Sequence, residues 1–225
     1  MRPVINSSKE FIQNFWKHYK LFEEDLLETE RYVTLSQDNF DTYSVEYNKL
    51  YLSICSEVDV VLKLISQQLG KPDVDKIDDY FFISLKCVGL KNEKVKLIGE
   101  EFIINPWNGW EIGNPPIWWT FYNKVKHERL TICNNPNSPA NGKPYYKMAN
   151  LQNVLTALAG LYILEFYCLL IYCIKNQPDN YNCMLPIFKS KIFTLTEWHG
   201  CCQSFIGEFV DKKIIESIIL RKIQL

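Results

Sequence analysis

Between Pro115 and Leu130 the chain reads PPIWWTFYNKVKHERL. Tyr122, Asn123, Lys124, Lys126, His127 and Arg129 lie close together there, and these residue types suit the binding or cleavage of a phosphodiester. An imidazole can move a proton near neutral pH, while Lys and Arg stabilise charge that develops on phosphate oxygens. An Asn amide can hold the imidazole tautomer or orient a ribose hydroxyl. Nothing in the stretch has metal-ligand spacing, so the scheme needs no metal and no cofactor. The blander reading is that a lone His in an aromatic helix is a hydrogen-bonded structural residue.

These positions must be carried by a helix for the chemistry to converge. At 100° per residue, Trp118, Phe121 and Val125 fall on one side. Asn123, Lys126, His127 and Leu130 fall on the other, with Lys124 and Glu128 at the border. Asn123 and His127 are four apart and therefore neighbours on one face. Tyr122, Lys126 and Arg129 form a second row beside them. Asn114 is the expected N-cap, and Pro115-Pro116 suits a helix start, where backbone N–H groups have no intrahelical partner.

Acids elsewhere could support such a site. Glu57 and Asp59 sit within ICSEVDVVLKL, on a mostly apolar helix, and are expected to neutralise Lys126 or Arg129. Glu165 stands alone on the most apolar helix of the chain, as a functional group or as one half of a buried hydrogen bond or ion pair. His199, Cys201 and Cys202 in EWHGCC suggest metal only weakly, since no CxxC pair or second cluster at zinc spacing accompanies them. No glycine-rich phosphate loop and no serine-nucleophile motif occurs.

The remaining pattern predicts mostly helix. Phe11, Phe15, Tyr19, Phe22 and Leu26 recur at three- and four-residue steps, giving a first helix over 8–33. A second runs over 44–69, ending at Gly70 with Pro72 behind it. A third covers 74–88. KVKLIGEEFIINPWNGW has short β-prone runs broken by Gly99 and Pro106, the mark of a small hairpin or ordered loop. After the quoted helix, NNPNSPANGKPYY reads as an exposed, mobile loop. A fifth helix covers 148–176, LPIFKSKIFTLTEW reads as a second hairpin, and an amphipathic helix covers 202–222. The expected fold is all-α, a bundle of about five to six helices with one or two small β-hairpins. Residues 1–176 form the bundle, and 177–225 form a hairpin-plus-helix extension packed on the same core.

A chain of 225 residues can bury a core without staples. With 25 basic against 26 acidic residues, net charge is −1, which excludes bulk electrostatic attraction to nucleic acid and leaves only a local patch. Eight cysteines at irregular spacing, and an N-terminal stretch without a signal-peptide pattern, point to a reduced, cytoplasmic setting. The segment 151–173 is long enough to span a bilayer, but Gln152, Asn153 and above all Glu165 would be expensive in lipid. It reads as a buried core helix, and no membrane association is expected.

WWTFYNKVKHER, followed after a loop by MANLQNVLTALAGLYIL, resembles the HEPN-type helical proteins of prokaryotic defence and toxin systems, especially abortive-infection relatives. TYSVEYNKLYLSICSEVDVVLKLI is similar to their earlier long helix, so the resemblance covers about residues 8–176. It implies a helical bundle that dimerises with the motif helices of two subunits facing each other across a cleft. Many members are metal-independent endoribonucleases whose motif is an Arg, usually a polar residue next, and a His a few residues on. Here those positions hold Tyr122, Asn123 and His127. The resemblance thus implies His127 as general acid/base and Asn123 as its orienting partner. Lys126, Arg129 and Lys124 would contact phosphate, and Tyr122 stands where the Arg belongs. The implied partners are a second copy of the chain, RNA, and a partner protein of the same defence system. A phenol lacks the permanent charge and bidentate grip of a guanidinium, so the rival expectation is a non-catalytic dimerisation module with a degenerate motif. A site predicts His127 accessible to solvent in a groove, near its symmetry mate; a module predicts it buried and saturated with hydrogen bonds.

Overall fold

A computed structural model describes residues 7–87, 89–176 and 189–196. It shows a mostly helical protein with a small three-stranded antiparallel sheet. The expected 202–222 helix and the EWHGCC cysteines lie outside the described residues.

Helix α1 runs through Ser8–Phe11, a π-helical turn Ile12–Trp16, and Lys17–Thr29. It buries Phe11, Trp16, Tyr19 and Leu26, while Phe15 and Phe22 of the expected stripe are only half-buried, because the π-helical turn brings Trp16 inward after Phe11. Helix α2, Val45–Gln68, starts where Ser44, in extended conformation, accepts a hydrogen bond from the Tyr47 N–H at 3.0 Å. It stops before Gly70, whose φ of 82° supplies the left-handed turn.

Helix α3 is only Phe81–Lys86, not the longer 74–88 expected. The stretch before it carries Asp73, Asp75, Asp78 and Asp79, side chains that compete with helix for backbone donors. Asp78 is engaged elsewhere, accepting from the distant Gly113 N–H at 3.1 Å.

Strands β1, Val95–Leu97, and β2, Ile103–Ile104, form the expected hairpin, with Val95 opposite Ile104. Strand β3, Phe193–Leu195, does not form a local hairpin among the described residues. It adds to the other edge of β1, with Leu97 opposite Phe193, in the order β2-β1-β3. Buried Glu23 of α1 holds the start of this strand. Its carboxylate accepts from the Lys191 N–H at 2.7 Å and from the Ser190 hydroxyl, and it pairs with Lys20.

The core is built around helix α5, Leu151–Asn176, which packs chiefly along α2. Asn150 opens it by accepting from the Asn153 N–H at 3.0 Å, while the Leu151 and Gln152 N–H groups reach the Thr42 and Phe40 carbonyls at 2.9 and 3.2 Å. Leu151–Tyr172 is long and apolar enough to cross a bilayer, yet 83% of its most apolar window is buried inside the protein. It is the central helix of a core.

Candidate functional site

Helix α4, Ile117–His127, is seated by its aromatic side. Trp118, Trp119, Phe121, Tyr122 and Val125 are all buried. Rings run in a chain from Trp110 to Trp107 at 5.1 Å, Trp107 to Trp118 at 5.3 Å, Trp118 to Trp119 at 5.7 Å and Trp119 to Tyr122 at 5.2 Å. The indole N–H of Trp118 donates to the Pro106 carbonyl at 2.6 Å, and that of Trp107 to the Gly160 carbonyl of α5 at 3.3 Å. Tyr51 of α2 donates its hydroxyl to the Trp118 carbonyl. The helix is therefore tied to the hairpin region and to both long helices before its polar side is considered.

Its start differs from expectation. Pro116 occupies the N-cap without a side-chain bond, so Asn114 is not the cap. Asn114 instead exchanges two backbone hydrogen bonds with Glu111, both at 3.0 Å, around Gly113, whose φ is 73°. The tight turn this closes holds Asn114 too far back to reach the first helical N–H groups.

The polar face is as the wheel placed it for Asn123, Lys126 and His127. Asn123 and His127 are both exposed, one turn apart, and neither side chain has a hydrogen-bond or ion-pair partner among the described residues. His127 occupies the last residue of the helix. Lys126 is exposed beside it, with its ammonium 5.6 Å from the centre of the Tyr122 ring. Lys124 pairs with Glu128 at 2.7 Å and lies 5.6 Å from the centre of the Tyr145 ring.

Four expected members of the site are elsewhere. Tyr122 faces the core, not the polar row: it is 6% exposed, against Trp119 and, at 6.4 Å, Tyr51. Burial pushes its phenol above the ordinary range, helped by Cys55 and Asp59 and opposed by Lys63. Arg129 leaves the helix, because Glu128 is the C-cap and its φ of −130° ends the helical path. Its exposed side chain does not continue the Tyr122–Lys126 row. Glu57 and Asp59 touch neither Lys126 nor Arg129. Glu57 faces His18 of α1, with Nδ1 to Oε2 at 3.6 Å, and burial raises its pKa against the lowering effect of His18. Asp59 pairs with Lys63 and accepts from the Tyr80 hydroxyl at 3.1 Å.

Glu165 is not joined to the α4 face by any hydrogen bond among the described residues. It is fully buried in α5, and both carboxyl oxygens lack a hydrogen-bond partner among the described residues. Burial first, and then the charge of Glu57, push its pKa well above the carboxylate range. No group of three or more His, Cys, Asp or Glu side chains able to hold a metal occurs among the described residues.

The segment after α4 is mostly exposed, as expected, and is closed by its own backbone hydrogen bonds. Gly142 N–H donates to the Cys133 carbonyl at 2.7 Å, Cys133 N–H to Lys143 at 3.0 Å, and Tyr145 and Tyr146 N–H to Thr131 and Arg129 at 3.1 and 2.9 Å. Hydrogen bonds from the Asn135 N–H and from the Tyr145 and Ser138 hydroxyls pull the Cys133 thiol below its usual range. This fold-back sets Tyr145 against Lys124, and it sets Tyr146 against Tyr43 at 5.6 Å with Lys147 over the Tyr43 ring at 5.4 Å. None of these tyrosines was singled out from the sequence; the available signal was YYK directly after a turn-forming run. No protein-family model, curated protein or solved structure matches this chain.

Proposed function

We propose that this chain is a HEPN-like helical bundle of a prokaryotic defence or toxin system, a cytoplasmic homodimer that binds RNA at the polar face of α4 and cleaves it without a metal. The observation that carries this reading is the exposed, unpartnered Asn123–His127 pair on a helix held from behind by buried rings. A purely structural histidine in an aromatic helix would be buried and hydrogen-bonded, and His127 is neither.

In the proposed reaction His127 of one subunit takes the proton from a ribose 2′-hydroxyl. The 2′-oxygen bonds to phosphorus, the bond from phosphorus to the 5′-oxygen breaks, and that oxygen receives a proton from the protonated His127 of the second copy. Asn123 orients the imidazole or the ribose hydroxyl. Lys126 stabilises the charge on the phosphate oxygens, Arg129 contacts the strand from outside the helix, and Lys124, already paired with Glu128, plays a lesser part.

One observation favours the rival reading, a non-catalytic HEPN-like module. Tyr122, at the position of the family's Arg, is packed in the core and offers phosphate no charge. The deciding experiment is degradation of a broad RNA panel by the purified protein and by His127→Ala. Cleavage lost in the variant supports catalysis at α4. An inert wild type, or equal cleavage by both proteins, removes the catalytic assignment and leaves the module.

A further inference from the structure

The charges of this chain are unevenly distributed. From Ile112 to Leu164 it carries Lys124, Lys126, Arg129, Lys143 and Lys147 against a single acid, Glu128. That is a local charge of +4 in a chain of net −1, so the remainder carries −5. The basic residues are interleaved with aromatic rings. Lys124 lies over Tyr145, Lys147 over Tyr43, and the Tyr43 ring meets Tyr146 edge-on. Tyr43 is 43% exposed, and Tyr145 and Tyr146 are half-buried on consecutive residues of a 3₁₀ turn, so each has a firm backbone behind it. The strip begins at the α4 face itself, because Lys124 and His127 are three residues apart on one helix.

We infer that the Tyr43–Tyr145–Tyr146 strip, with Lys147 and Arg129, is a docking track for single-stranded RNA that leads the strand to the Asn123–His127 face. Tyrosine rings offer faces on which unpaired bases stack, and the lysines and arginine follow the phosphates. A duplex hides its base faces and cannot use the rings. The inference rests on the reading of α4 as an RNA-facing helix, but not on whether that helix cuts.

The test is fluorescence anisotropy with a labelled, 2′-O-methylated single strand of about twelve nucleotides, which cannot be cleaved through its 2′-oxygen. Wild type should bind it at least about tenfold tighter than the matching duplex. Tyr43→Leu, which keeps apolar bulk without a ring, and Tyr146→Ala should each weaken binding by about tenfold. Tyr43→Phe and Tyr146→Phe should bind as wild type. Lys147→Ala should weaken binding and flatten its salt dependence. No binding by wild type, equal binding of duplex, tighter binding of a deoxy strand, or undiminished binding by Tyr43→Leu overturns the track. Strand binding without any cleavage leaves the track and removes only the catalytic reading. Cleavage that survives the ring substitutions unchanged does the reverse.

Discussion

Glu165 lies mid-helix in α5 with both oxygens buried and unpartnered among the described residues, beside Glu57 of α2, whose other neighbour is His18 of α1. The sign of its effect follows from its raised pKa. Below the ordinary carboxylate pKa, about 4.3, the group is neutral folded and unfolded and costs nothing as a charge. As pH rises the unfolded chain releases the proton while the folded chain resists, so stability falls until the folded pKa is passed. Glu165→Met, of similar shape and without polar atoms, should therefore raise the melting midpoint. The gain should be on the order of 1–3 kcal/mol, small at acid pH and growing toward alkaline pH. Thermal melts across pH decide it; a variant less stable at every pH would mean the carboxyl has a stabilising partner. That Glu165 is an oddity was legible in the sequence, because a lone acid interrupts an apolar run. That its oxygens go unpaired was not, since that depends on what α2 presents opposite. Tyr122 teaches the same lesson. It lies at the edge between the two faces of α4, and only the positions of Trp119 and Tyr51 turn it inward. Tyr122→Phe should leave any RNA cleavage within about twofold of wild type, whereas Tyr122→Ala should cost about 3 kcal/mol of stability through lost ring contacts. A Phe variant that folds but no longer cuts would put the phenol back in the site.

Helix α4 depends on a notch in α5. A Cβ at Gly160 would lie 3.3 Å from Trp118 and 3.4 Å from Trp107, so the glycine is where two indoles close onto a helix backbone. Gly160→Ala should be near neutral, because the gain in helix propensity, about 1 kcal/mol, offsets a contact only slightly too close. Gly160→Leu has no such escape and should destabilise by about 1–3 kcal/mol while shifting tryptophan emission. Melts and emission spectra of both variants check this; a leucine variant as stable as wild type with unchanged emission would mean the notch is not needed. Elements defined by local chemistry were legible: α2 between Ser44 and Gly70, the β1–β2 hairpin around Gly99, and α5 as one long apolar run. Elements defined by distant partners were not. β3 pairs with β1 across about a hundred residues of chain, and nothing in KIFTL names that partner. The Glu23 carboxylate that anchors it reads as one acid of an exposed EED, although its side chain is buried against Ser190 and Lys191.

For the molecule as a whole, the basic stretch around α4 and its following turn lies in an otherwise acidic chain, which is how a protein of net charge −1 can still offer a polyanion a surface. Among the described residues one subunit supplies one exposed imidazole at that surface, and the proposed reaction needs a proton acceptor and a proton donor. His18 cannot be the second, because it faces Glu57 on the α1–α2 side. The proposal takes the donor to be the His127 of another copy, and it stands or falls on the two chains acting together. Mixing supplies the test. If each site needs both copies of His127, exchanging wild-type chains with a growing excess of His127→Ala chains should reduce activity as the square of the wild-type fraction. At equal amounts of the two chains, random pairing leaves about one quarter of the pairs fully wild type. Independent single-chain sites would instead lose activity in simple proportion, retaining about half. Subunit exchange is verified by sedimentation of the mixture, where the dimer should run at twice the 26.5 kDa of the chain. A protein that cleaves RNA while sedimenting only as a monomer at assay concentrations would rule out the composite site and require a second proton-transfer group within a single chain.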